Sequence, residues 1–518
     1  MSLRAGDGAI ASLGFQLNRG DDQDSRAGSG MTRFEKAAVA AFTVISLGYV
    51  ISSAYLGING DHLWRQADVY GHILGFTGFK NFEPFDLFFS GKRAVFDLPL
   101  YQFVIAKLAL IYDADPLVVT RFVNASLWAI TAYAGYRLAV SMGSSVSGVV
   151  FLFSLSVSPL ILHYFSTPLP DLLVIALSLA AIALLEIRGT GRRPIMYAFP
   201  LLAIATLIKS PVPFIFLVFY AICRLSADGV SLRRLPAYVR NNLPAVVLLS
   251  ILAVLAVLAE QLRILLLGEG GFGFAQSPGW YFGPLALRFH PEFWHLVWTR
   301  VHEWGPFAFG YIGTGTIAAS LVLCNDRQNR ILAASALGAL LCGWLVFSNV
   351  YLYHNYYQIP LAIMVLLSFS KALSLLIEKY AATIRRTRKI NIENLVLGLL
   401  VVFASQYTML SEGLGDRSRT GALSGIEYAL RDRAVILYVA DKYTGPGIGG
   451  ELSTKFRRVS HREFELNCDA YLSRYSSVLS HGYSICLDQN RTQADYYVRD
   501  EDIHFFRAGS RQWAERAR

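Results

Sequence analysis

The 518-residue chain is 54% hydrophobic and only 16% charged, with a mean hydropathy of +0.41. That apolar content exceeds what a soluble core can bury, which excludes an ordinary globular protein. The net charge of +10 is not the signature of a nucleic-acid binder, because the basic residues stand beside long apolar runs, where they report membrane topology.

Residues 1–34 are rich in Gly, Ser, Asp and Arg and contain no long apolar run, so they read as a disordered cytoplasmic leader and not as a signal peptide. Apolar runs follow at 38–58, 118–140, 146–163, 170–187, 195–208, 211–225, 243–267, 305–324, 331–350, 358–377 and 394–411. Each approaches the length needed to cross a hydrocarbon layer of roughly 30 Å, and helices satisfy every backbone group without water. The expected fold is therefore a polytopic α-helical membrane protein of about 11 transmembrane helices, spread over residues 35–412. The two runs flanking Ser210-Pro211 are short and can form one broken or re-entrant pair.

A long loop at 59–117 and an aromatic loop at 268–304 separate some of these runs, and within the first a segment beginning at Pro99 has the pattern of a helix lying on the membrane surface. Beyond residue 412 the character changes: a polar helical pattern at 424–433 precedes strand-like runs at 434–439 and 496–498. Residues 413–518 are expected to form a small α/β domain.

Lys and Arg set the sidedness, since cytoplasmic loops keep positive charge during insertion. Arg33 and Lys36, Arg188 with Arg192 and Arg193, Arg224 to Arg240, Arg327 with Arg330, and Arg385 to Lys389 all fall on one side of the span count. That side is read as cytoplasm, which places the N-terminus inside and the C-terminal domain outside, in the periplasm of a bacterial inner membrane. Cys468 and Cys486 then share an oxidising compartment and are expected to form a disulfide.

The ionisable and aromatic residues that topology does not explain gather on the outer side. They are Asp61, His62, Arg65, Asp68 and Asp97 in the first outer loop, His163 and Asp171 in the next, Lys209, the loop histidines His290, His295 and His302, and the run His354-Asn355-Tyr356-Tyr357-Gln358. Each has an ordinary explanation: Asp171 as a helix cap, Lys209 as a snorkelling side chain, the tyrosines as an interfacial belt and the loop histidines as surface residues. Independent caps and belts would fall on both faces, whereas these residues converge on one. An outer-facing cavity with carboxylates, a lysine and aromatic rings suits a polar headgroup carried on a lipid phosphate.

In order along the chain, Trp64-Arg65-Gln66-Ala67-Asp68, Phe96-Asp97-Leu98-Pro99-Leu100-Tyr101-Gln102, Pro170-Asp171, Ala205-Thr206-Leu207-Ile208-Lys209-Ser210-Pro211 and His354-Asn355-Tyr356-Tyr357-Gln358-Ile359-Pro360 together resemble the bacterial GT-C glycosyltransferases of the protein mannosyltransferase and aminoarabinose transferase type. The resemblance spans roughly residues 35–380. It implies a polyprenyl-phosphate sugar donor, a glycan, lipid or protein acceptor on the outer face, and inversion at the sugar carbon. It also implies Asp68 as the catalytic base, with Asp61 as the alternative and Asp97 as the second carboxylate. Arg65, Asp171, Lys209, His354, Tyr356 and Tyr357 would bind the donor and its phosphate. A paired Asp-Glu common in that family after the first span is missing here, and its Glu-Lys-Pro stands as Asp97-Leu98-Pro99, so lipid A is not inferred as the acceptor. Gathered carboxylates are of the type that hold a divalent metal, although nothing in the sequence requires one or any other cofactor. The competing readings are a transporter or lipid flippase, and a polysaccharide ligase or polymerase. Transporters commonly carry internal repeats and midplane polar breaks, and neither is apparent in this sequence.

Overall fold

A computed structural model describes residues 32–52, 98–165, 167–188, 192–230, 232–241, 281–302, 304–308, 311–387 and 396–403, with isolated positions between 69 and 76 and between 247 and 258, and six short strands after residue 435. Fourteen α-helices are defined among them. They are α1 (Arg33–Ser52), α2 (Leu100–Tyr112), α3 (Pro116–Met142), α4 (Ser145–Ser156), α5 (Pro159–Phe165), α6 (Asp171–Arg188), α7 (Arg192–Lys209), α8 (Pro211–Ala227), α9 (Leu235–Asn241), α10 (Pro291–His302), α11 (Tyr311–Leu323), α12 (Arg327–Val346), α13 (Ser348–Tyr353) and α14 (Ile359–Thr387).

The helix starts follow local chemistry. Asp115 accepts from the Leu117 amide at 2.6 Å just before Pro116, which occupies the first helical position where its missing N–H costs nothing. Ser144 and Ser147 form a reciprocal capping box at the start of α4, and Asp326 caps α12 through the Asn329 amide. At the other end of α2, Asp113 takes a left-handed conformation at φ 47° and releases the chain into α3.

Three helices among the described residues are long and apolar enough to cross a membrane: Pro116–Met142, Arg327–Val346 and Tyr356–Ala381. The run read as a span over 146–163 is formed by α4 and α5, which together are long and apolar enough to cross as a broken span or form a re-entrant loop and are bent by 68° at the Val157–Ser158 break. Pro159 explains the bend, because it has no N–H to continue the α4 ladder and disfavours helical geometry in the residue before it. Around Ser210 the chain likewise leaves α7 and enters α8 at Pro211.

The helices pack as an alternating bundle in which α3 lies against α4 and α6, α6 against α7, α8 against α12, and α14 against α4, α11 and α12. Polar side chains tie one end together. Ser145 donates to Glu35 at 2.6 Å, Ser144 to Glu378 at 2.9 Å, Lys379 to the Leu323 carbonyl at 2.6 Å and Arg327 to the Ala227 carbonyl at 2.9 Å. The start of α1, the α3–α4 turn and the ends of α8, α11 and α14 therefore meet at this end. The α5–α6 link, the end of α7 and the 347–358 segment meet at the other, where Ser158 donates to the Trp304 carbonyl at 3.1 Å.

After residue 435, β1 (Ile436–Val439) pairs in parallel with β2 (Phe456–Val459). β3 (Ile485–Cys486), β4 (Tyr496–Arg499), β5 (His504–Arg507) and β6 (Trp513–Ala514) form a sheet in that order, parallel between β3 and β4 and antiparallel beyond. β1 and β4 fall where the sequence pattern has its apolar runs.

Candidate functional site

The site assembles at the end of the bundle remote from Glu35 and Glu378. Asp171 is the first residue of α6 and Lys209 the last of α7, and these two helices pack side by side in opposite directions. The Lys209 ammonium lies 2.7 Å from Asp171 Oδ1, with side-chain exposures of 3% and 0%. Each charge also suits its own helix: a carboxylate favours the positive N-terminal end of α6, and an ammonium the negative C-terminal end of α7. Neither ordinary explanation from the sequence suffices, since Lys209 is sealed inside the protein and the Asp171 carboxylate reaches across to another helix.

Aromatic rings close around the pair. Lys209 Nζ sits 4.3 Å from the Tyr357 ring centroid and 5.0 Å from that of Tyr356. His354 stacks on Tyr356 at 5.2 Å and 25°. Tyr164 of α5 meets Tyr356 edge-on at 5.9 Å, and Tyr351 of α13 lies 5.8 Å from Tyr357. A cation against ring faces gains from their quadrupoles, and the gain grows as water is excluded. A short backbone break makes this wall. The 3₁₀ turn Asn355–Gln358 separates α13 from α14 and turns both tyrosines inward, and the buried Gln358 amide donates to the Tyr351 carbonyl while accepting from Trp344 Nε1 at 3.4 Å.

A second polar layer lies beside the first. The Tyr101 hydroxyl donates to Asn124 Oδ1 at 2.7 Å, and Asn124 Nδ2 donates to the Thr167 carbonyl at 2.6 Å. Arg121, one turn earlier on α3, is buried and close enough to Tyr101 to favour its ionised form, although burial dominates and pushes the Tyr101 hydroxyl upward. Sequence reasoning placed Tyr101 within the 96–102 motif without giving it a role, and missed Arg121, Asn124, Tyr164 and Tyr351. Arg121 and Asn124 carried a usable signal, since ionisable and amide side chains within an apolar helix seek partners inside the bundle.

Of the residues expected at the site, the structure brings together Asp171, Lys209, His354, Tyr356 and Tyr357. Asp61, Arg65, Asp68 and Asp97 lie outside the described residues, as does Cys468, while Cys486 falls in β3. The loop histidines are elsewhere: His290 and His295 are exposed, and His302 pairs its Nδ1 with the Trp298 carbonyl at 2.8 Å on α10. Among the described residues no three His, Cys, Asp or Glu side chains group as metal ligands.

A bundle of membrane-length and broken helices with a buried ion pair and aromatic wall at one end defines a membrane-embedded protein, and its fold is that of the solved ArnT structures. Among solved structures, ArnT from Cupriavidus metallidurans bound to undecaprenyl phosphate overlays on 82% of this chain and 86% of its own, with a TM-score of 0.57 and 11% identity. The same protein in the apo state overlays with a TM-score of 0.53 and 11% identity over the same shares of the two chains. The Archaeoglobus fulgidus oligosaccharyltransferase in its apo form overlays with a TM-score of 0.48 and 14% identity, covering 87% of this chain and 69% of that one. No protein-family model and no curated protein sequence matches the chain.

Proposed function

We propose that this chain is an integral membrane glycosyltransferase that moves a sugar from a polyprenyl-phosphate donor to an acceptor hydroxyl on the outer face of a bacterial inner membrane, with inversion. The observation that carries the proposal is the Lys209–Asp171 pair, buried under Tyr356, Tyr357 and His354 at the end of the bundle remote from Glu35. A fixed ammonium in a place poor in water is preorganised for the negative charge that grows on a departing lipid phosphate. The overlay with a structure of ArnT holding undecaprenyl phosphate supports the same donor class.

In this reading Asp68, with Asp61 as alternative, takes the proton of the acceptor hydroxyl as its oxygen bonds to the anomeric carbon. The bond from that carbon to the phosphate oxygen breaks, and its electron pair leaves with the polyprenyl phosphate. Lys209 and Arg65 meet the phosphate, Asp171 holds Lys209 in place, and Asp97 supplies the second carboxylate. The N-terminus is cytoplasmic, about 11 helices span the membrane, and residues 413–518 form an exported α/β domain that shields the cavity or helps select the acceptor.

The test is turnover by the full chain in lipid vesicles, with a panel of polyprenyl-phosphate sugars and mass spectrometry of released or acceptor-linked sugar. Asp68→Asn keeps the shape and removes the base, so it should insert normally and lose turnover. Undiminished turnover in that variant shifts the base to Asp61 or Asp97. Transport of the donor across the bilayer without any bond cleavage would instead make the protein a flippase.

A further inference from the structure

We propose that Asn124 is a positioning residue for the Lys209–Asp171 pair, acting through the turn that joins α5 to α6. This deepens the transferase reading and rests on it only for the effect on turnover.

The turn has an unusual shortage of backbone donors. It contains Pro168 and Pro170, which have no N–H, so little of its own backbone can hold it. Internally, the Thr167 amide and hydroxyl both bond the Tyr164 carbonyl, at 2.9 and 2.7 Å, and the Leu169 amide bonds the Thr167 carbonyl at 3.0 Å. Two side chains from other helices reach it: Asn124 Nδ2 of α3 donates to that same Thr167 carbonyl at 2.6 Å, and the Tyr101 hydroxyl of α2 meets the Leu169 backbone. Four residues further along the chain stands Asp171, so the Asn124 bond sets where α6 begins and where its first carboxylate points.

The chemistry of the two partners fixes the orientation of the Asn124 amide. A carbonyl can only accept, so the NH₂ must face Thr167, and the oxygen is then left to accept from Tyr101. Burial keeps the Tyr101 phenol protonated and therefore a donor. Tyr101, Asn124 and Thr167 are each at least 99% buried, so a broken bond here has no ready replacement from water. The relay thus runs from α2 to the turn through Asn124 of α3 and directly at Leu169, and from the turn to the pair.

The experiment follows Lys209 itself. The full chain in vesicles is treated with a small amine-modifying reagent, and labelling of Lys209 and Lys379 is read by peptide mass spectrometry. Lys379, at the opposite end of the bundle, serves as the internal control. Asp171→Asn sets the level for a released Lys209. Asn124→Leu should raise Lys209 labelling about tenfold, matching the loss of one buried hydrogen bond, and add nothing in the Asp171→Asn background. Tyr101→Phe, which removes only a hydroxyl, should give a smaller rise and guards against a misfolded Asn124 variant. Where turnover is measurable, kcat should fall in Asn124→Leu and show no further fall when Asp171 is already Asn. Unchanged Lys209 labelling in both Asn124→Leu and Tyr101→Phe overturns the proposal, as does an equal rise at Lys379, which would mean general loosening. A chain that turns over no donor would end the transferase reading and leave the labelling result standing on its own.

Discussion

The Lys209 ammonium lies 2.7 Å from an Asp171 carboxylate oxygen, joining the last residue of α7 to the first of α6 with both side chains sealed from the surface. Two charges removed from water in this way are expensive unless they hold each other, and removing one strands the other. Asp171→Ala should therefore cost about 3–5 kcal/mol, read as a fall in the thermal unfolding midpoint of the detergent-solubilised protein. The double change Asp171→Leu with Lys209→Met should recover most of that loss yet stay inactive. Recovery of turnover along with stability would mean the pair serves the fold alone.

Tyr357 presents its ring to Lys209 at 4.3 Å, so the ring matters more than its hydroxyl for holding the cation. Tyr357→Leu should cost about 1–2 kcal/mol of that interaction, lowering kcat/KM about tenfold, while Tyr357→Phe stays within a few-fold of the parent. Steady-state kinetics of the two variants distinguish a cation–ring contact from a hydroxyl contact to substrate. A Phe variant as poor as Leu would assign the work to the hydroxyl.

Gly313 is required for a different reason. A Cβ there would stand 2.2 Å from the Phe307 carbonyl oxygen, and the Gly313 amide already bonds the Pro306 carbonyl at 2.9 Å, so the obstacle is backbone that is itself held. Gly313→Ala should destabilise the protein by about 1–3 kcal/mol through overpacking. Thermal unfolding would show it, and an unchanged midpoint would mean that the 306–308 turn can shift freely.

If Cys468 and Cys486 are joined in an exported domain, the intact mass should rise by one hydrogen pair on reduction, and two cysteines should become alkylatable only then. Two thiols alkylated without reductant would remove the disulfide. Cys223, Cys324 and Cys342 are free thiols and provide the baseline for the count.

Much of the site could be read from the chain because its residues break local rules. Asp171, Lys209 and the His354–Gln358 run are polar groups at the ends of apolar runs, and the structure places Asp171, Lys209, His354, Tyr356 and Tyr357 around one centre. The second layer was hidden for the opposite reason. Asn124 and Arg121 sit inside a helix whose apolar majority masks them, and Tyr101 reads as one more aromatic on an apolar segment. The bend at Pro159 was legible in principle, but the run of Leu, Ile and Phe on both sides outweighed a single proline in a hydropathy count.

By itself the sequence determined that this is a helical membrane protein, because the length and apolarity of a run are local quantities that lipid and water read directly. Only the tertiary structure decided that Asp171 pairs with Lys209, that two tyrosines cover the cation, and that Asn124 reaches the Thr167 carbonyl in the turn before α6. Those are relations between helices distant in sequence, and packing alone determines which polar side chains inside a membrane bundle find one another.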